Sequence, residues 1–529
     1  METYPLILGG VKKQTDEIVS VRFPFTGEEY AQVCQASTLD LKNAVTEAVK
    51  GFETTRKLTS GARAGILTRL ADEIHGRADE LAEVLVMEGG KTRKFAINEV
   101  ARAEITVRTS AEEAKRIYGE IIPLDWSDDA AGRTGFLRRF PLGPVVGIVP
   151  FNFPLNLACH KLAPAIAAGN SIILKPASST PVSSLLLGEM AIAAGMPPAA
   201  ISVVPCAGGR AEQLARDPRV AYLSFTGSCS VGWHLREIAG RTKIGLELGG
   251  NAAVIVHEDA NLDYAAQRIA TGGFINAGQV CISVQRVLIH RPVYDRFVEK
   301  ILAAVRALKV GDPRDPATDV GPMIDRLKAE DAYRKMQEAV RQGARILTGG
   351  TLEETMFAPT ILVDTTPAMR VNREEVFAPV LSLTPYDSFP DAIRMANDGE
   401  YGLQVGIFTQ NINRAMQAFT DMEVGGVQVN DIPTFRVDQM PYGGAKGSGL
   451  GREGPRYAPR TGSRLKRRCS RYGEPRSLPP IHQSQRVTMS FQQNSWTNTS
   501  VRITVSLALT ATSSLPWGPI RISRITGLT

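Results

Sequence analysis

The sequence predicts an α/β protein organised on a doubly wound parallel sheet, and three stretches carry that expectation. Between Val145 and Gly240, four apolar strands alternate with helical segments near 154–168, 182–195, 210–216 and 228–240. The strands are VVGIVP (145–150), SIILKPA (171–177), ISVVPC (201–206) and VAYLSFT (220–226). Strands apolar on both faces and separated by helices imply a parallel sheet covered on both sides, closed by right-handed crossovers. From Leu39 to about Gly119 apolar residues recur at intervals of three and four, which predicts helices covering one face of a sheet. A second α/β unit opens near Leu246 and runs to about Glu423.

In chain order, residues 1–30 predict short strands with a turn at Phe25-Thr26-Gly27. No GxGxxG follows the first strand of the sheet, so a nucleotide site must be argued from other residues. The second unit contains AAVIVHEDANLDYAAQRIATGGFINAGQVC, a strand VQRVLIH (284–290) and a helix at 292–308. The glycine-rich stretch 425–458 suits a loop that closes over a site. After Ala458 the composition changes abruptly, as a shifted reading frame would make it change. PRTGSRLKRRCSRYGEPRSLPPIHQSQ has the content of a disordered segment, while Val501, Ile503, Val505, Leu507 and Leu509 alternate like a strand.

The 529 residues allow two or three domains, and 43% hydrophobic with 22% charged residues is ordinary for globular protein. The net charge of +7 is misleading as a sign of nucleic-acid binding. Residues 459–529 hold eleven Arg or Lys against one acidic residue, so the first 458 carry −3, and no basic nucleic-acid groove is expected. Six cysteines at 34, 159, 206, 229, 281 and 469 show neither CxxC nor paired spacing, which fits a reducing, cytoplasmic setting. Neither a signal peptide nor a membrane span is expected. His75, His160, His234, His257 and His482 have no metal-ligand spacing, and His290 has no partner motif, so no metal is expected.

The stretch FINAGQVCIS delivers Cys281 from a Gly-Gln turn into an apolar, β-prone segment. With Asn152 in PFNFP, Glu247 at the end of the strand KIGLELGG, and Thr226-Gly227-Ser228 opening a helix, it forms a chemically coherent set. A thiolate is a strong nucleophile near neutral pH. The Asn152 amide and the Cys281 backbone N–H suit an oxyanion. A carboxylate in so apolar a setting has a raised pKa, which suits Glu247 as a general base. Backbone N–H groups at a helix N-terminus suit a pyrophosphate.

Seven motifs in order, PFNFP (150–154), ILKPASSTP (173–181), SFTGS (224–228), LELGGN (246–251), FINAGQVC (274–281), EEVFAPV (374–380) and PYGGAKGSG (441–449), resemble the NAD(P)-dependent aldehyde dehydrogenase superfamily over residues 20–458. The resemblance implies a dinucleotide-binding domain (1–120 and 142–245) and a catalytic domain (246–424). It also implies a small β oligomerisation extension with a site-closing loop (121–141 and 425–458), which leaves 459–529 as an atypical, disordered basic tail. It implies oxidation of an aldehyde to its carboxylate through a Cys281 thiohemiacetal and thioester, hydrolysed by water that Glu247 activates. Lys175 then meets the adenosine ribose, and Glu375 holds the nicotinamide ribose with Phe377 beside it. Ser178 stands where NAD-selective relatives carry a glutamate, so NAD or NADP is admitted. Arg102 and Arg436 are candidates to grip a small anionic aldehyde, with a carboxylate or hydroxyaldehyde favoured over a sugar phosphate. The resemblance implies a homo-oligomer as well, although the expected final strand is missing after Ala458. A CoA-acylating dehydrogenase and a non-catalytic binding protein on the same fold remain the alternatives; Glu247 favours hydrolysis.

Overall fold

The computed structural model describes residues 2–471. Five parallel strands form the centre of an eight-stranded sheet, in the spatial order Lys243–Glu247, Tyr222–Thr226, Val145–Ile148, Ile172–Lys175, Ile201–Val203. Antiparallel strands Leu6–Leu8 and Val11–Lys13 extend one edge, and Gly449–Leu450 the other. The chain leaves Val145–Ile148, builds outward through two strands, then returns to its other side. That reversal opens a crevice beyond the carboxyl ends of Val145–Ile148 and Tyr222–Thr226, where ligands of such sheets bind.

The helices expected on one face divide between two. Leu41, Ala44 and Val45 of Thr38–Thr55 share a core with Leu214 and Leu235, whereas Ser60–Gly76, Ala78–Gly89 and Arg93–Ala114 pack with Pro154–Ala168 and Val182–Ala193 opposite. Helical periodicity reports that a helix has a buried stripe, not which side of the sheet receives it.

A seven-stranded sheet follows, ordered Arg345–Thr348, Thr360–Val363, Val380–Tyr386, Val284–His290, Ala252–Val256, Gln404–Phe408, Gly426–Val429, and only its first strand is antiparallel. It has its own cores on both faces. Part of 425–458 therefore belongs to the two main sheets.

The tail expected to be disordered from residue 459, with no final strand, instead begins with a paired strand. Ser463–Arg471 is a strand, antiparallel to Arg133–Pro141 over nine pairs, in a three-stranded sheet with Glu120–Pro123. Its basic composition hides the pairing, because the strand is set by the backbone edge of Arg133–Pro141 rather than by an apolar pattern of its own. The rest of the tail, with the alternation expected at 501–509, lies outside the described residues. Among the described residues no helix is long and apolar enough to cross a membrane.

Candidate active site

The helix Leu262–Phe274 ends in a reversal that places Cys281. Asn276, Ala277 and Gly278 all adopt positive φ, at 52°, 53° and 70°. Left-handed backbone costs a non-glycine residue free energy and persists only where the surroundings enforce it. At Gly278 a side chain is excluded outright, since a Cβ would lie 2.2 Å from the Ala378 carbonyl oxygen. The Gln279 side chain ties the loop down, donating to the Asn276 carbonyl at 3.1 Å and accepting from the Ile324 N–H at 2.9 Å. Cys281 thus sits in a turn of the β-prone segment, three residues before the strand Val284–His290, which has the bounds expected from sequence.

Asn152 lies against the same loop. Its side-chain amide donates to the Gln279 carbonyl at 2.9 Å, which fixes the amide plane and leaves its second hydrogen for a ligand. Its own carbonyl accepts from Lys91 Nζ at 2.7 Å. Lys91 is ion-paired with Glu99, whose other oxygen accepts the N–H groups of Leu155 and Asn156 at 3.0 and 3.1 Å. The start of the helix Pro154–Ala168 is therefore capped by a buried glutamate, and Asn152 is held from both sides.

A pocket brings together Cys281, Glu247, Thr226, Arg102, Arg436, Tyr442 and Glu453, and Phe153, Leu157, Val280 and Ile282 supply apolar lining. Glu247 is buried with Oε2 unpartnered. Burial, reinforced by repulsion from Glu453, pushes its pKa well above the carboxylate range. Glu453 is instead held low by His160, Lys161 and Arg436, against the cost of its own burial. Arg436 NH2 donates to Glu453 Oε2 at 3.0 Å, and the guanidinium lies 3.7 Å from the centroid of the Tyr442 ring. The Tyr442 hydroxyl is 3.0 Å from Cys281 Sγ. Burial raises the Cys281 thiol to about 11, while Tyr442 and Arg436 pull it down.

The residues assigned to a dinucleotide fit one, with adjustments. Lys175 ends its strand buried, its pKa lowered by desolvation, and no carboxylate of the described residues pairs with it. Ser178 is exposed, and its hydroxyl donates to the Cys206 carbonyl at 3.4 Å. Thr226 Oγ1 already accepts from Lys161 Nζ at 2.8 Å, and the Gly227 N–H is spent on the Glu247 carbonyl at 3.1 Å. The open donors are instead Ser228, an N-cap whose side chain makes no capping bond, and the first turn of Cys229–Ile238 behind it. Glu375 is half-buried, accepts the Gly250 N–H at 3.0 Å and is raised by desolvation to about 7. A Cβ at Gly249 would stand 2.3 Å from its carboxylate, so the LELGG glycine keeps that cradle open. Phe377 packs edge-on against Phe151 at 5.9 Å, which joins the Glu375 segment to PFNFP.

The two arginines do line the pocket, but neither is a free cation. Arg102 forms a two-pronged pair with Asp438, 3.0 Å at each contact. Asp438 is also bonded by Asn156 at 3.0 Å and His160 at 2.9 Å. Only Arg436 retains a buried donor with no partner, its Nε.

Tyr442, Glu453, Lys161, Asp438 and the Lys91–Glu99 pair were not singled out from sequence, although Tyr442 stands inside PYGGAKGSG. His257 and His290, treated separately above, stack at the ends of adjoining strands with centroids 4.3 Å apart and planes at 27°. One ligand atom from each of His257, His290 and Glu258 lies within 4.8 Å of the others, and Tyr386 extends the stack at 5.2 Å.

The model of the Aldehyde dehydrogenase family matches residues 11–467, a span that includes the start of the strand Ser463–Arg471. A 3-sulfolactaldehyde dehydrogenase of Priestia aryabhattai is 42% identical over 459 residues, 87% of this chain and 96% of the relative. Among solved structures, aldehyde dehydrogenase 21 from Physcomitrella patens, in complex with the reaction product succinate, superposes with a TM-score of 0.87 at 40% identity, covering 89% of this chain and 98% of that one. A glyceraldehyde-3-phosphate dehydrogenase of Methanocaldococcus jannaschii complexed with NADP gives 0.84 at 37%, covering 87% and 100%. With the fold, the crevice and seven motifs in agreement, this chain belongs to the aldehyde dehydrogenase family and is an NAD(P)-dependent oxidoreductase that converts an aldehyde to its carboxylate.

Proposed function

We propose that the substrate is a small aldehyde carrying an anionic or hydroxyl group, oxidised through Cys281 and released by hydrolysis. The observation that carries this reading is the single pocket shared by Cys281, Glu247 and Arg436. The Cys281 sulfur adds to the carbonyl carbon, and the tetrahedral oxygen takes hydrogen bonds from the Asn152 amide and the Cys281 N–H, a pair of donors that stabilises charge as it develops. Bound NAD(P) supplies the hydride acceptor. Cys281 is left as a thioester. Glu247 removes a proton from water, the hydroxide adds to the thioester carbon, and the carboxylate leaves as the Cys281 thiolate is regenerated.

The unpartnered Arg436 Nε supports an anionic or hydroxylated substrate, since a buried donor without an acceptor costs free energy until a ligand supplies one. The relative named for 3-sulfolactaldehyde and the neighbour holding succinate support the same class. The exposed Ser178 supports use of both cofactors, because a serine does not repel a 2′-phosphate. A cytoplasmic homo-oligomer joined through the three-stranded extension completes the reading, supported by the exposed Ile121, Trp126 and Leu465 there.

The test is kcat/KM for short anionic, hydroxylated and unsubstituted aldehydes with each cofactor, in wild type and Cys281→Ser. A preference for the first two classes, abolished in the serine variant, is expected. Equal rates for all three classes overturn the substrate reading. Activity above about a tenth in Cys281→Ser overturns the nucleophile, since losing it should exceed the roughly 10²–10³-fold cost of one oxyanion donor.

A further inference from the structure

Burial alone makes Cys281 a poor thiolate, and none of the described histidines stands beside it as a base. His160 touches Arg436 NH2, at 3.3 Å, rather than the sulfur. Four other charged or titratable groups act on the thiol: Tyr442 and Arg436 favour the ionised form, while Glu375 and Glu247 oppose it. Of these only Tyr442 makes a hydrogen bond to Sγ, at 3.0 Å. Its ring is buried and roofed by the Arg436 guanidinium, which Glu453 holds in place. A cation over the face of a phenol draws electron density from the ring and makes the O–H a stronger donor. A hydrogen bond to an ionised acceptor is about twice as strong as one to a neutral acceptor, so such a donor favours thiolate over thiol.

We propose that Tyr442 is a catalytic residue of this enzyme, donating its phenolic hydrogen to the Cys281 thiolate, with Arg436 stacked on the ring to strengthen that donor. The inference rests on the reading of Cys281 as the nucleophile. It makes the motif PYGG part of the attacking apparatus and gives Arg436 two tasks, one toward the substrate and one toward the sulfur. The Arg436–Glu453 pair then also fixes the ring, since the guanidinium that Glu453 holds is the one lying over Tyr442.

The experiment is the rate of iodoacetamide alkylation at Cys281 against pH, followed by mass spectrometry of the peptide that contains it. The proteins compared are wild type, Tyr442→Phe, and protein carrying 3,5-difluorotyrosine at position 442. Loss of the donor in Tyr442→Phe should move the alkylation midpoint up by about one to two pH units, the size of a hydrogen bond to a charged group. The more acidic fluorinated phenol should move it down. The rising limb of kcat/KM should shift in the same directions, while cofactor binding in Tyr442→Phe stays at the wild-type level. A midpoint unchanged in Tyr442→Phe overturns the proposal. Should that variant fail to fold, the fluorinated protein decides it, and an unchanged midpoint there overturns it equally. If protein alkylated at Cys281 still turns over aldehyde, the nucleophile reading is what has failed. If alkylation abolishes turnover and neither midpoint moves, only the role of Tyr442 has failed.

Discussion

Glu247 and Glu453 face one pocket as two buried carboxylates whose hold on protons is driven in opposite directions. Arg436 at 3.0 Å and Lys161 at 3.6 Å keep Glu453 ionised. Its charge then makes a second ionisation nearby costly, which compounds the burial of Glu247. Only ionised Glu247 can take a proton from water. Deacylation should therefore be lost as pH falls through the raised pKa, at a midpoint above the ordinary carboxylate range. Glu453→Gln, which removes the repulsion, should move that midpoint down. Rapid mixing should also show that Glu247→Gln keeps its first-turnover burst of reduced cofactor and stalls afterwards. A missing burst would place Glu247 before hydride transfer.

Arg436→Leu removes the buried arginine donor of the pocket that has no partner among the described residues. The anionic aldehyde should lose about 1.5–3 kcal/mol of transition-state stabilisation, the usual size of a hydrogen bond to a charged group. A neutral aldehyde of equal length should lose less, so the ratio of the two kcat/KM values is the measurement. Arg102→Leu should shift that ratio little, because Asp438 already occupies the inner edge of its guanidinium.

Ser178→Glu should depress NADP use relative to NAD. Its exposed side chain has room for the larger group, and a carboxylate repels a 2′-phosphate. The ratio of kcat/KM for the two cofactors reports it, and an unchanged ratio would mean that other residues read the phosphate.

Glu99→Ala should destabilise the fold by about 3–5 kcal/mol, as for other buried pairs broken on one side. It leaves Lys91 buried without its counter-charge, and uncaps the helix that begins at Pro154. Adding Lys91→Met should recover part of the loss in urea unfolding. An additive double variant would show that the two charges are not coupled.

The α/β architecture was readable because buried strands such as Ile172–Lys175 and Ala252–Val256 are continuously apolar, and a parallel sheet covered on both faces leaves no other local pattern. Cys281, Glu247 and Asn152 could be named as candidates because each sits in a short motif with glycine or proline neighbours, and the fold brings Cys281 and Glu247 into one pocket. What the sequence could not carry was the pairing of charges. Arg102 and Asp438 are 336 positions apart, and Tyr442 stands 161 positions from Cys281. A side chain's charge state and the direction of its donors depend on which groups share its low-dielectric surroundings, and only the folded chain decides that. The same holds for Ser463–Arg471, a strand without an apolar pattern. Local sequence determined where most strands and turns and the candidate reactive groups of this protein lie. Tertiary structure decided which arginine keeps a free donor, which glutamate holds its proton, and which hydroxyl meets the sulfur.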